Sequence, residues 1–195
     1  MIIGTHNSFT YLKPRTWIGR LFASFGRCQE VSIYDQYEKY GVRAFDFRVR
    51  LDKEGKPVIA HGMFEYKDSV NELDRAFNFL DSKGDCYVRI CLETRNDFTR
   101  SDAQDAWFRS YCSKIESEYH GIKFYGGTES VEPRCIYIFN TKYPSSDGFH
   151  ASWATKNKLD DLFAKWYARK HNKESYDKGT TKDIMFLDFV NIGRN

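Results

Sequence analysis

Gly41-Val42-Arg43-Ala44-Phe45-Asp46-Phe47-Arg48-Val49 is the stretch on which the fold turns. Val42 to Val49 predicts a β-strand, whose side chains alternate between two faces. Ala44, Asp46 and Arg48 share one face; Phe45, Phe47 and Val49 share the other. The apolar face calls for a covering helix, while the other carries an acid and an arginine toward the strand's C-terminal end. Two later segments repeat the pattern. In Cys86 to Glu93, Arg89, Cys91 and Glu93 oppose Val88, Ile90 and Leu92; in Ile184 to Val190, Asp188 opposes Met185, Leu187 and Phe189.

Helical periods alternate with these strands. Glu30 to Tyr40 places Val31, Tyr34, Tyr37 and Tyr40 at helical spacing, and Gly41 suits a C-terminal cap. Pro57 to His61 predicts a second strand. Ser69 to Ser82 predicts a helix with Val70, Leu73, Ala76, Phe77 and Leu80 on one stripe and Lys83-Gly84 at its end. Ser101 to Tyr119 and Thr155 to His171 predict helices and Arg134 to Asn140 a strand; the polar links 62–68 and 172–183 predict loops. Such alternation implies α/β architecture with a parallel sheet. Charge near the strands' C-terminal ends favours a TIM-type (β/α) barrel, small, incomplete or distorted, over an open sheet. No linker, repeat or low-complexity tract divides residues 1–195, which read as one domain.

Composition narrows the function classes. A formal charge of +3 is too small to indicate nucleic acid as a partner, although it suits anionic headgroups. The five cysteines (Cys28, Cys86, Cys91, Cys112 and Cys135) contain no CxxC pair and read as buried free thiols. No apolar stretch is long enough to span a bilayer, and no charged and apolar leader precedes His6. The expectation is a cytoplasmic chain, or a secreted one if a signal peptide has been removed.

His6 and His61 each follow an extended segment, Ile2-Ile3-Gly4-Thr5 and Pro57-Val58-Ile59-Ala60. Two imidazoles facing one another can supply a base and an acid, and an arginine can hold a phosphate between them. Phosphodiester cleavage is therefore the leading reading. His120, His150 and His171 lack such a setting and read as surface residues, with His150 within reach of a rim.

Gly4-Thr5-His6-Asn7-Ser8, Gln29 to Gln36, Gly41 to Arg48 and Pro57-Val58-Ile59-Ala60-His61-Gly62 together resemble the catalytic X region of phosphatidylinositol-specific phospholipases C. The likeness is to the bacterial, calcium-independent branch and covers roughly the first third of the chain. Thinner agreement follows at Cys91-Leu92-Glu93 and Phe186-Leu187-Asp188-Phe189. The resemblance implies attack of an inositol 2-hydroxyl on phosphorus, with release of diacylglycerol and formation of a cyclic phosphate. It implies His6 as general base, His61 as general acid and Arg48 as phosphate clamp. Asp46 would then position Arg48 or the acid histidine, and Asp188 would fix the tautomer of His6.

Two positions depart from that branch. Asn7 stands where it usually has an aspartate, and Glu93 where it tends to have a lysine touching inositol. Both changes resemble the calcium-dependent eukaryotic branch, which nevertheless has acids at the positions of Asp46 and Arg48. Asn7, Asp46 and Glu93 are few donors for an ion that takes six to eight oxygens, and the Arg48 guanidinium would stand in its place. The expectation is no metal and no cofactor. Asn7, Glu93, Arg95 and Lys142 are the candidate substrate contacts, and Tyr143, Phe149 and Trp153 a candidate apolar rim. The partners expected are a phosphoinositide or related phosphodiester and transient contact with a membrane surface, with no nucleic acid.

Two other readings compete. Glycerophosphodiester phosphodiesterases also place a histidine after strand one and another after a Pro-Val-Ile strand. They offer Glu-x-Asp to a metal, however, where this chain has Asp46-x-Arg48, and usually read His-Arg where this chain has His6-Asn7. A degenerate phosphate-binding domain is the non-enzymatic reading; retention of both histidines and Arg48 weighs against it.

Overall fold

The computed structural model describes residues 1–93, 102–124, 149–151, 164–178 and 184–193. Its strands are β1 (Ile2–Thr5), β2 (Ala44–Leu51), β3 (Pro57–His61), β4 (Phe64–Glu65), β5 (Tyr87–Leu92), β6 (Lys123–Phe124), β7 (Phe149–Ala151) and β8 (Ile184–Leu187). The helices are α1 (Trp17–Leu21), α2 (Ile33–Glu38), α3 (Ser69–Lys83), α4 (Asp102–Glu118) and α5 (Ala164–Lys178), with a 3-10 turn at Ala23–Gly26.

The parallel strands run β6-β5-β2-β1-β8-β7. Among the described residues no pairing joins β6 to β7, so the described strands do not close into a barrel. Pro57 to His61 is a strand as expected, but it breaks the parallel rule. β3 runs antiparallel to β2, with Val49 opposite Ile59 and Leu51 opposite Pro57. The reason is the short link 52–56, in which Asp52 accepts from the amides of Glu54 and Lys56 and turns the chain straight back. A parallel return needs a crossover of a dozen residues or more.

β5 occupies one edge of β2 along Ala44 to Val49. β1 and β3 therefore share the other edge: β1 is parallel at Ala44 and Phe45, β3 antiparallel from Val49 upward. Their ends point toward each other. His6 leaves β1 just past the level of Phe45, and His61 comes down β3 from the level of Val49.

Both faces of β2 are buried, from Ala44 through Arg50. Phe45 and Phe47 enter a core with Phe77 of α3, Phe108 of α4 and Phe124 of β6. Phe47 stacks edge-on to Phe77 at 5.3 Å and tilts against Phe9 at 4.4 Å. Truncating such a ring to alanine costs about 3–5 kcal/mol. The α3 stripe buries Leu73, Ala76, Phe77 and Leu80, but Val70 is exposed. Gly84 closes this helix in the left-handed region.

Other expectations shift. The helix expected over Glu30 to Tyr40 is trimmed to Ile33–Glu38, where Ser32 caps the amide of Asp35. α5 continues to Lys178, through a segment expected to be a loop, because Asn172 is buried and tied to the chain after β8. The 62–68 link contains the short strand β4, and Asp188 lies just past β8 rather than within it. Cys28, Cys86, Cys91 and Cys112 are buried free thiols. The strand expected over Arg134 to Asn140 lies outside the described residues, as does Cys135.

Candidate active site

His6 follows β1 at a backbone corner. Asn7 adopts φ +46°, a left-handed conformation that asparagine tolerates better than other non-glycine residues. The corner is laced to β2: the Asn7 amide donates to Asp46 Oδ2 at 3.0 Å, the Ser8 amide to the Asp46 carbonyl at 3.0 Å, and the Asp46 amide to Ser8 Oγ at 2.8 Å. Gln29 fastens the same corner to β8, donating to the carbonyls of His6 and Leu187 and accepting from the Val190 amide. Asp188 is held by a matching device. Phe189 takes φ +48°, and Asn172 of α5 donates to the carbonyls of Asp188 and Phe189. A bulky residue in that region is strained and persists only where its surroundings over-determine it.

These two corners bring His6 Nδ1 to 2.9 Å from Asp188 Oδ1. On the other edge of the ring, His6 Nε2 lies 2.7 Å from Arg48 Nη2 and 3.0 Å from Asn7 Nδ2. A guanidinium always donates, so Nε2 presents its lone pair and Nδ1 carries the proton toward Asp188. Burial and Arg48 lower the pKa of His6, but the charge and hydrogen bond of Asp188, together with the Cys28 sulfur, outweigh them and the net shift is well upward. The 2.7 Å contact still requires the neutral ring in this arrangement, since two N–H groups would repel at that distance.

His61 lies across from His6, with ring centroids 6.2 Å apart and planes at 83°. Its Nδ1 is 3.0 Å from Asn7 Nδ2 and 3.7 Å from Glu93 Oε1. Burial opposes its charge, yet Cys28 and Glu93 override burial and push its pKa up to about 9. Glu93 also accepts from the Gly62 amide at 2.6 Å and is lowered to about 2 against burial, chiefly by His61 and Arg48. Gly62 takes φ +54° to turn β3 into β4, and Arg50 donates to the carbonyls of Gly62 and Phe64 behind that turn.

Arg48 sits between acids. Its Nε donates to Asp46 Oδ2 at 3.0 Å, and its Nη1 to Glu93 Oε2 at 3.4 Å. Asp46 also accepts from Arg89 Nε at 2.7 Å and from the Cys91 thiol at 3.4 Å. Burial would raise the Asp46 pKa, but Arg48 and Arg89 hold it far below the ordinary carboxylate range. His6, Asn7, Asp46, Arg48, Glu93 and Asp188 are all nearly inaccessible, whereas the His61 side chain is 24% exposed. The open side of the cluster is therefore at His61. A cleft of about 440 Å³ between Arg15, Lys56 and Asp68 lies at the other end of β3 and contains none of these residues.

The structure thus gathers His6, Asn7, Asp46, Arg48, His61, Glu93 and Asp188 into one cluster. Arg95, Lys142, Tyr143 and Trp153 lie outside the described residues, as do the side chains of Phe149 and His150. Two members went unrecognised in the sequence. Arg89 showed itself only as a charge on the polar face of β5. Cys28 gave no signal beyond being a free thiol, yet its sulfur lies 3.6 Å from Asn7 Nδ2, facing both histidines. Burial and Asp188 resist ionisation of that thiol, but the two imidazoles outweigh them and lower its pKa below the usual thiol value.

Calcium fits this donor set poorly. Both Asp46 oxygens already accept from arginines, and a guanidinium stands between Asp46 and Glu93.

No family model matches the sequence, and no curated protein does. Among solved structures, the phosphatidylinositol-specific phospholipase C of Listeria monocytogenes superposes with a TM-score of 0.59 at 14% identity, over 96% of this chain and 87% of that one. A point mutant of the Staphylococcus aureus phosphatidylinositol-specific phospholipase C gives 0.58 at 15% identity, over 96% of this chain and 84% of its own. Another structure of the S. aureus enzyme, described for its membrane binding, gives 0.56 at 14% over 96% and 85%. At such identities the likeness shows a fold like that of these phospholipases and leaves the chemistry to the residues.

Proposed function

We propose that the chain is a phosphodiesterase of the phosphatidylinositol-specific phospholipase C type, on a (β/α) barrel-like fold. The observation that carries this reading is the placement of two imidazoles 6.2 Å apart with Arg48 on one and Asp188 behind it. An incoming phosphodiester draws Arg48 Nη2 from His6 onto its own oxygens, because a guanidinium binds an anion more strongly than a neutral ring nitrogen. That exchange frees the Nε2 lone pair. His6 then takes the proton of the inositol 2-hydroxyl as the oxygen forms its bond to phosphorus, and Asp188 stabilises the imidazolium. Arg48 offsets the charge that builds on the phosphoryl oxygens. His61, whose charged form Cys28 and Glu93 favour and whose Nδ1–H meets Asn7 Oδ1 once that amide rotates, gives its proton to the departing diacylglycerol oxygen as that bond to phosphorus breaks. The products are diacylglycerol and a cyclic inositol phosphate, and each histidine is left in the other's starting protonation state.

Contact with a lipid surface belongs to the same reading. Trp17, Ile18, Leu21, Phe22 and Phe25 are each more than half exposed on α1 and the turn after it. That segment rests on the β3–β4 hairpin. A side chain at Gly26 would collide with the Phe64 ring, Tyr66 donates to the Gly26 carbonyl, and Met63, 74% exposed, lies two residues past His61. An exposed apolar patch beside the open side of the cluster suits a substrate presented in a bilayer.

The test is phosphorus NMR of the products from phosphatidylinositol vesicles, with and without chelator. A cyclic phosphate signal that persists in chelator is expected. No turnover, or turnover that disappears in chelator and returns with calcium or magnesium, would overturn the reading and favour a metal-dependent glycerophosphodiesterase.

A further inference from the structure

Cys28 has no part in the acid–base scheme, yet it lies inside the cluster that performs it. The Cys28 sulfur, a ring nitrogen of His6 and a carboxylate oxygen of Asp188 all fall within 4.8 Å of one another, and all three residues are buried. A second observation concerns Asn7. Its Oδ1 is buried with no hydrogen-bond partner among the described residues, on a side chain that lies between His6, His61 and Cys28. Rotation of that amide would put the oxygen where Nδ2 now stands, 3.0 Å from each histidine nitrogen and 3.6 Å from the sulfur.

We propose that His6, Cys28 and Asp188 form a binding site for a thiophilic divalent cation of the zinc class, and that its occupancy switches the histidine pair off. Zinc bonds of about 2.0–2.3 Å place tetrahedral ligand atoms roughly 3.3–3.8 Å apart, so the three groups need only small shifts once Arg48 Nη2 leaves His6 Nε2, which either binds the metal or receives the proton displaced from Nδ1. A Cys-His-Asp set selects zinc or cadmium over calcium and magnesium, which prefer oxygen alone. The fourth ligand is water, or Asn7 Oδ1 where the metal takes His6 Nε2. Binding releases the Cys28 proton to solvent, and thiolate and Asp188 together balance the charge of the cation. No electron is transferred. The metal takes His6 and Asp188 out of the reaction, so this regulation rests on the phosphodiesterase reading above, whereas binding itself does not.

Equilibrium dialysis of the full chain against Zn²⁺ tests binding, and zinc K-edge absorption identifies the ligands. One zinc per chain is expected, with one sulfur at about 2.3 Å and lighter ligands nearer. Cys28→Ser should weaken zinc roughly 100-fold, whereas Cys112→Ser in α4 should leave it unchanged. Phosphatidylinositol cleavage should fall with zinc occupancy and return on chelation. A shell without sulfur, or unchanged zinc affinity in Cys28→Ser, would overturn the site. If Cys28→Ser does not fold, the absorption shell of the unmutated chain decides. Zinc bound with one sulfur in a chain that never cleaves a phosphodiester would uphold the site and overturn the proposed activity instead. Full cleavage at saturating zinc would overturn the switch.

Discussion

Arg48 Nη2 lies 2.7 Å from His6 Nε2, on the ring edge opposite Asp188. The guanidinium caps the lone pair that the proposed reaction uses, and the same group is the one an entering phosphate would attract. Arg48→Ala should lower kcat/KM for phosphatidylinositol by about 10²–10³-fold, the scale for losing a charge-stabilising donor. It should also destabilise the fold by about 3–5 kcal/mol, because Asp46 and Glu93 stay buried and lose a partner. Urea unfolding and initial rates read the two effects separately. A stability loss with kcat/KM unchanged would remove Arg48 from the reaction.

The two histidines should respond differently to the leaving group. His6→Ala and His61→Ala should each lose about 10²–10⁴-fold in rate. With an inositol phosphodiester of an acidic phenol, which departs without a proton, His61→Ala should recover and His6→Ala should not. Equal recovery of both variants would reverse or dissolve the assignment.

Acid stability should depend on Glu93. Its pKa is lowered from 4.5 to about 2 in the fold, so the folded state holds its proton less tightly than the unfolded chain. The resulting stabilisation is complete above about pH 4.5 and is lost as pH falls toward 2. It amounts to about 3 kcal/mol, since each tenfold change in proton affinity is worth about 1.4 kcal/mol. His61 has the opposite sign. Raised to about 9, it stabilises fully below its ordinary 6.5 and loses that contribution as pH rises through 9. Thermal melts should show Tm falling on both flanks. Glu93→Gln should flatten the acid flank, and a variant as acid-sensitive as the parent would refute its role.

Replacing exposed apolar residues beside the site should impair work at a surface but not in solution. Trp17→Ala with Leu21→Ala should weaken sedimentation with phosphatidylinositol-containing vesicles by about tenfold or more, since each side chain is worth roughly 1.5–3 kcal/mol when buried. Cleavage of a soluble inositol phosphodiester should stay within about twofold, because surface changes of this kind rarely move stability by more than about 0.5 kcal/mol. Equal losses on both substrates would indicate a folding defect instead of a lipid contact.

Much of this organisation was legible in the sequence because it is periodic. The two-residue alternation in Ala44 to Val49 located β2, and the stripe Leu73, Ala76, Phe77, Leu80 located α3. Pro57–His61 matched its strand end for end. Segments without periodicity were missed. α1 exposes Trp17, Ile18 and Leu21 instead of burying a stripe, and β4 is two residues long. The last turns of α5 are polar, and that segment is joined to the protein by the buried Asn172, which a hydrophobic pattern does not register.

Local order along the chain supplied the chemistry: two histidines after extended segments, an acid and an arginine two apart on one strand face, and a late aspartate. Those are properties of local order, since strand parity places Asp46 and Arg48 together whatever lies beyond β2. That the two histidines face each other is a consequence of how the strands are packed. That outcome follows from the reversal at Asp52, which sends β3 back along the edge of β2 already begun by β1, so two strands of opposite direction end at the same level. It also brought Cys28 and Asp188 to His6, contacts between residues far apart in the chain. Nothing in local spacing encodes such contacts, because they arise from packing the whole sheet and its helices around one core.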